Sequence, residues 1–354
     1  MKVRNTKDLP FSNIRKILIR STNWIGDAVL PLPAISSVRL TFPQSTIAIL
    51  AKSWVAEIFN SNPDIDEVIT YDDSNYTGIS GKWRLIRFLK RKAFDLAICL
   101  PNAFGAALLV YMAGIPLRLG YNTHGRGILL THAVNRSKRI LRRHQIDYYL
   151  EMLSTLGFTL AEKTLNLKVL AEEKEEARQI LERLGVREGD LIIGINPGAT
   201  YGPTKRWFPD RYAALADRLI DDFGAKVLIF GSQNDNNIAL ELIKNSKRGV
   251  INLAGQTTLT QAKAMISICR LFITNDSGLM HVASALKVPV VAIFGSTNPE
   301  TTSPFGEGSV IIKKDIPCSP CLKRECEDDY LCMRLIEVDE VYERVRSIVM
   351  SFHL

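Results

Sequence analysis

Short apolar stretches alternate with longer helical stretches, and this rhythm runs through the chain twice. Strand-type runs fall at Lys16–Arg20, Thr46–Ala51, Val68–Tyr71 and Asp95–Leu100. They recur at Leu191–Asn196, Lys226–Phe230, Val250–Leu253, Leu271–Thr274 and Val288–Phe294. Helical patterns separate them, among them Gly81–Lys92, Phe104–Ala113, Asp210–Asp222 and Leu279–Leu286. Strands joined through helices pair in parallel, and parallel sheets are covered on both faces. The sequence therefore predicts an α/β protein of two doubly wound, Rossmann-like domains. Ligands in such folds sit at the carboxyl ends of the strands, so two facing domains would share a cleft. A chain of 354 residues exceeds one ordinary core. The expected boundaries are 1–170, 171–335, and a C-terminal helical segment 336–354.

Apolar residues make up 46% and charged residues 23%, the balance of a soluble globular protein. No uninterrupted apolar run reaches membrane-spanning length. The N-terminal MKVRNTKDLPFSNIRK is basic without an apolar h-region, which predicts a short extension before the first strand rather than a secretory signal. Charge is uneven. Residues 1–170 hold 23 Lys/Arg against 12 Asp/Glu, and residues 171–354 hold 22 against 25, so the excess of cations lies in the first half. It concentrates at Lys82, Arg84, Arg87, Lys90, Arg91 and Lys92, and at Arg136, Lys138, Arg139, Arg142 and Arg143. These are solvated helix faces or contacts for an anionic partner. No RNP-like aromatic set or helix-turn-helix cue accompanies them, and nucleic acid is not an expected partner.

Chemistry is expected at the strand ends. LFITNDSGLMHVASAL runs from a strand into Asp276, Ser277 and Gly278, with a helix opening behind them and His281 in its early turns. Free N–H groups and the positive helix end make this an anion site, most naturally for phosphate. NPGATYGPTKRWFP follows the first strand of the second half. Its glycines, Thr200, Thr204, Lys205 and Arg206 suit a diphosphate, although the Walker spacing is absent. FGSQND, with Ser232 and Gln233, ends another strand. In the first half, STNWIGDAVLPLP follows the first strand and carries Asn23, Trp24, Gly26 and Asp27. Asp27 is either a helix cap or a carboxylate placed as a general base. Asn102 lies at the same sheet edge. Asp64-Ile65-Asp66 matches a metal–nucleotide D-x-D pattern but precedes a strand, and reads as a solvated turn.

Cys99 and Cys269 sit in apolar segments and read as packing residues. With no signal peptide, the cysteines are expected reduced, without structural disulfides. Cys318, Cys321, Cys326 and Cys332 form a C-x2-C-x4-C-x5-C run. Four thiols so close can hold structural zinc or an iron–sulfur cluster, or form a redox-sensitive loop.

In order along the chain, STNWIGDAVLPLPA, LPNAFGAAL, GINPGATYGPTKRW, FGSQND, NLAGQTTLTQA and TNDSGLMHVASAL resemble the ADP-heptose:lipopolysaccharide heptosyltransferases of glycosyltransferase family 9. The Gly202-Pro203 and Lys205-Arg206-Trp207 loop is most similar to the type II members. The resemblance implies a GT-B fold, acceptor in the first domain, nucleotide-sugar in the second, and inverting transfer without a required metal or cofactor. It implies Asp27 as general base and Lys205 on the diphosphate. Thr200, Arg206, Ser232, Gln233, Asp276, Ser277, Gly278, Leu279 and His281 would hold ADP-heptose. Asn23, Trp24, Gly26 and Asn102 would face the acceptor, a lipopolysaccharide inner-core heptose. The implied location is cytoplasmic and peripheral, on the anionic inner face of the inner membrane, and the Glu337–Ser351 helix would cross back to the first domain. Another heptose or sugar acceptor, or a GT-B nucleotide-sugar epimerase or hydrolase, stays open.

Overall fold

A computed structural model describes residues 11–72, 76 and 78–352. The expected N-terminal extension lies largely outside them. The chain divides into two units, 1–168 and 169–354.

The first unit is built on six parallel strands: β1 Lys16–Arg20, β2 Thr46–Ala51, β3 Glu67–Thr70, β4 Leu96–Cys99, β5 Leu117–Tyr121 and β6 His132–Val134. Their order is β3-β2-β1-β4-β5-β6. Leu18 on the central strand pairs with Ala48 on one side and Ala97 on the other. All three are fully buried, because helices cover both faces. Pro31 and Pro33 interrupt the helical stretch after β1. A short helix, Ile25–Val29, gives way to a second, Leu32–Thr41, that carries Pro33 in its first turn, where a missing N–H costs nothing. Asp64 and Asp66 are structural. Ser36 donates to Asp64 at 2.5 Å, while Arg39 and the Ile47 N–H donate to Asp66 at 2.6 and 2.7 Å.

The second unit repeats the plan with β7 Ile192–Asn196, β8 Lys226–Ile229, β9 Ile251–Asn252, β10 Leu271–Asn275, β11 Val290–Phe294 and β12 Val310–Lys313. The order β12-β11-β10-β7-β8-β9 is the same topology read from the opposite edge. In each sheet the winding reverses once, between β1 and β4 and between β7 and β10. Loops leaving the carboxyl ends of those pairs diverge and open a crevice, which is where such sheets bind ligands.

The C-terminal helix, Val338–Ser351, buries Val341, Tyr342, Val345 and Val349 in the core of the second unit. Their spacing makes one apolar stripe, and helix Pro209–Phe223 offers the matching face with Tyr212, Leu215 and Leu219. The Tyr342 hydroxyl donates to Asp222 at 2.5 Å, and Arg218 pairs with Asp339. Just before this helix, the Ile336 carbonyl accepts from Nε1 of the fully buried Trp207 at 3.0 Å.

Candidate active site

Two asparagines at the ends of β7 and β10 organise the second-unit site. Asn196 donates from Nδ2 to the Phe230 carbonyl at 2.9 Å and accepts the Ser277 hydroxyl at 2.7 Å. Three strand-end loops are thereby tied together. Asn275, fully buried, accepts from the Trp207 N–H at 2.9 Å and the Tyr212 hydroxyl at 3.0 Å, and donates to the Pro197 carbonyl at 2.8 Å. These bonds draw both ends of the loop Pro197–Pro209 onto the end of β10. Burial makes each bond expensive to leave unmade.

Lys205 then reaches Asp276. Its Nζ donates to the carboxylate at 2.6 Å, and the Thr297 hydroxyl donates to the same oxygen at 2.7 Å. Asp276 is 5% exposed and the Lys205 side chain 15%, so this pair is well shielded from water. Ser277 caps helix Gly278–Ala285, accepting from the Met280 N–H at 3.4 Å. The first-turn amides of such a helix have no intrahelical partners and carry its positive dipole end. A cation and a helix N-terminus thus meet at the sheet's switch point, the arrangement that recognises a diphosphate.

The other expected donor residues lie on the loops and the helix that follow these strands. Thr200, Ser232 and Gln233 are exposed on their loops, and His281 is buried at 4% in the capped helix. Leu279 is half-buried in its first turn. Arg206 is turned onto its own loop, with Nη2 donating to the Ala199 carbonyl at 3.1 Å. Ser232 donates its N–H and hydroxyl to Asp235 at 2.9 and 2.6 Å. Gly198 lies so close to Asp235 that a Cβ there would fall 2.2 Å from its Oδ1. The sequence reading did not single out Asn196, Asn275, Asp235 or Thr297. A polar residue ending an otherwise apolar strand is the signal for the first two.

The first unit gathers a different chemistry. Asp27 is exposed in the opening turn of helix Ile25–Val29 and is not its cap, which falls at Trp24. Burial pushes the Tyr149 hydroxyl well up from its usual range, and the nearby Asp27 charge adds to this. Asn23 accepts from Arg20 at 3.0 Å, and its carbonyl accepts from Trp54 Nε1 at 2.9 Å. Trp24 is half exposed and Gly26 buried. Asn102 donates to the Tyr148 hydroxyl at 2.9 Å and accepts from Arg126 at 3.3 Å. Three cations escaped the sequence reading: Arg20, Lys52 and Arg126 are all buried around this sheet edge. Arg20 and Lys52 lie 4.9 and 4.5 Å from the Tyr71 ring centre. Arg126 donates to the Tyr121 carbonyl at 2.8 Å. Burial lowers the pKa of both arginines. Among the described residues, no three His, Cys, Asp or Glu side chains stand together as a metal-ligand set.

Two doubly wound sheets of six parallel strands, each with polar loops at its switch point, make up the GT-B architecture. The model of glycosyltransferase family 9 (heptosyltransferase) matches residues 82–331. Lipooligosaccharide heptosyltransferase 2 of Haemophilus ducreyi is 35% identical over 84% of this chain and 88% of its own. The solved structure of E. coli ADP-heptose lps heptosyltransferase II superposes with a TM-score of 0.82 at 29% identity, covering 96% of this chain and all of that one. A glycosyl transferase family 9 structure from Veillonella parvula superposes at 0.85 with 25% identity, over 98% of this chain and all of that one. The chain belongs to glycosyltransferase family 9, the heptosyltransferases.

Proposed function

We propose that the protein transfers L-glycero-D-manno-heptose from ADP-heptose to the first heptose of the lipopolysaccharide inner core, with inversion and without a metal. The observation that carries this is the Lys205–Asp276–Thr297 cluster beside the N-terminus of helix Gly278–Ala285. It offers positive charge to a departing diphosphate from the protein itself. The engagement of Asp64 and Asp66 in structural bonds supports the metal-free reading. The names of the Haemophilus relative and the E. coli structure support heptose, ADP and lipopolysaccharide as the chemistry served.

In this mechanism Asp27 accepts the proton of an acceptor hydroxyl. The oxygen attacks the anomeric carbon as the bond to the diphosphate oxygen breaks, and ADP leaves with the electron pair. Lys205 and the amides of Gly278 and Leu279 stabilise the charge that develops there. Thr200, Ser232, Gln233, Ser277 and His281 complete the donor pocket, and Arg206 shapes its loop. Asn23, Trp24, Gly26 and Asn102 face the acceptor. Buried Arg20, Lys52 and Arg126 suit an acidic acceptor. The basic first half supports peripheral attachment to an anionic cytoplasmic membrane face. No helix among the described residues is long and apolar enough to cross a membrane.

ADP release tests the proposal. It is expected only when ADP-heptose and a heptosylated Kdo-lipid A acceptor are both present. Release at the same rate without acceptor would assign a hydrolase or epimerase instead.

A further inference from the structure

The donor-site loop Pro197–Pro209 leans on a segment that the transfer chemistry does not use. The Tyr201 hydroxyl donates to the Leu322 carbonyl at 2.6 Å, and the Thr204 hydroxyl donates to the Lys323 carbonyl at 2.7 Å. A Cβ at Gly202 would fall 2.8 Å from the Arg324 carbonyl oxygen. The same segment is tied to the end of β11, where the Leu322 N–H donates to the Ser296 carbonyl at 2.8 Å and the Ser319 hydroxyl to that of Gly295 at 2.6 Å. Yet the segment has no core of its own. From Lys314 to Tyr330 no residue is buried, and none lies in a helix or strand. Leu322, Asp329 and Tyr330 hold φ values of +57°, +50° and +54°, in the left-handed region that side-chain-bearing residues rarely adopt. Such a conformation persists only where something over-determines it. Hydrophobic packing reaches only the two ends of the segment, where Ile316 and Tyr330 lie partly buried on the core of the second unit, and irregular modules with so little packing are commonly held by cross-links or metals.

The four clustered cysteines supply the means. Cys318, Cys321, Cys326 and Cys332 all line one cavity of about 220 Å³, and all four are free thiols. Cys332 is anchored: it is 7% exposed in the short helix Leu331–Arg334, packed against Gly295 at the end of β11. Cys326 accepts the Tyr330 N–H on its sulfur at 3.2 Å, which fixes the direction of its side chain. Among the described residues the four sulfurs line the cavity without forming a ligand set, and closing it on an ion requires a shift of Cys318 and Cys321, the two exposed thiols.

We propose that Cys318, Cys321, Cys326 and Cys332 close on a single thiophilic metal ion, zinc or iron, as a structural tetrathiolate site that braces the donor-site loop. The ion replaces four thiol protons, leaving a metal with four sulfur ligands and no open position for substrate. It takes no part in transfer, so the site and the metal-free reaction are separate matters.

The test is elemental analysis of the purified full-length chain, which needs no nucleotide or acceptor. About one zinc or iron per chain is expected. C318S/C321S removes two exposed ligands and is expected to lose the metal while keeping the far-ultraviolet circular dichroism of the fold. C269S, which changes a cysteine outside the cluster, keeps it. Replacement by cobalt(II) is expected to give intense sulfur-to-cobalt charge-transfer absorption in the wild type and none in the double variant. Wild-type protein carrying less than about a tenth of an equivalent would overturn the proposal. So would four freely reacting thiols or disulfides in the native cluster, or full metal retention by C318S/C321S.

Discussion

Asp276 is almost wholly buried, and one carboxylate oxygen receives both Lys205 and Thr297. In the proposed mechanism Asp276 positions the lysine and Lys205 offers its charge to the diphosphate. Lys205→Ala is expected to weaken ADP binding by about 1.5–3 kcal/mol, roughly 10- to 100-fold, as measured by titration calorimetry. Unchanged affinity would remove Lys205 from the phosphate site. Asp27 differs because it is exposed in the opening turn of its helix, three residues past the N-cap position at Trp24. Asp27→Asn is expected to lower kcat by roughly 10²- to 10⁴-fold with ADP affinity intact; normal turnover would remove it as the base. Both residues were legible in the sequence because a strand end followed by Gly and a charge is a recognisable pattern. Asn196 and Asn275 were not, since their partners are backbone groups of loops far away in the chain. Arg20, Lys52 and Arg126 were hidden for a related reason. Sequence reading takes cations to the surface, while these three are held at a sheet edge by aromatic rings and carbonyl groups.

At the scale of elements, nine of the twelve strands were visible as apolar runs. The other three show what such runs miss. In β5, Leu117–Tyr121, Arg118 interrupts the pattern and spends its charge on the Leu129 carbonyl at 2.7 Å. A Cβ at Gly120 would come 3.2 Å from the Arg126 guanidinium, a tight contact that leaves little room beside this strand. β6 is three residues long and includes a histidine, and β12 is an edge strand with Ile311 exposed. The C-terminal helix was expected over Glu337–Ser351, but a helical segment in a sequence does not say which core its apolar stripe meets. The loop Pro197–Pro209 depends on two fixed points, Asn275 and Gly198. Asn275→Ala orphans the Trp207 N–H and Tyr212 hydroxyl, and is expected to cost about 2–3 kcal/mol, read as a lower urea midpoint at unchanged slope. A midpoint equal to wild type would show that the loop is held elsewhere. In Gly198→Ala the new methyl collides with Asp235, so ADP affinity is expected to fall while the rest of the second unit stays folded. Wild-type affinity would show that the loop yields without consequence.

For the whole molecule, the twofold repetition of one sheet topology was the most legible property, because it rests on alternation rather than on any single residue. The charge asymmetry is legible as well, and it has a consequence. Helix Gly78–Lys92 carries six cations and no acid, with Ile79 and Trp83 exposed beside them. Sedimentation with anionic vesicles is expected at low salt and is expected to weaken strongly once the Debye length falls to about 3 Å near 1 M. Equal binding to neutral vesicles would contradict a charge-driven attachment. The central claim concerns what is joined to what, and mass spectrometry of the reaction product addresses it most directly. With ADP-heptose and heptosyl-Kdo2-lipid A, the acceptor is expected to gain the mass of one heptose residue. An acceptor of unchanged mass, with free heptose or an altered nucleotide-sugar in its place, would contradict heptosyl transfer.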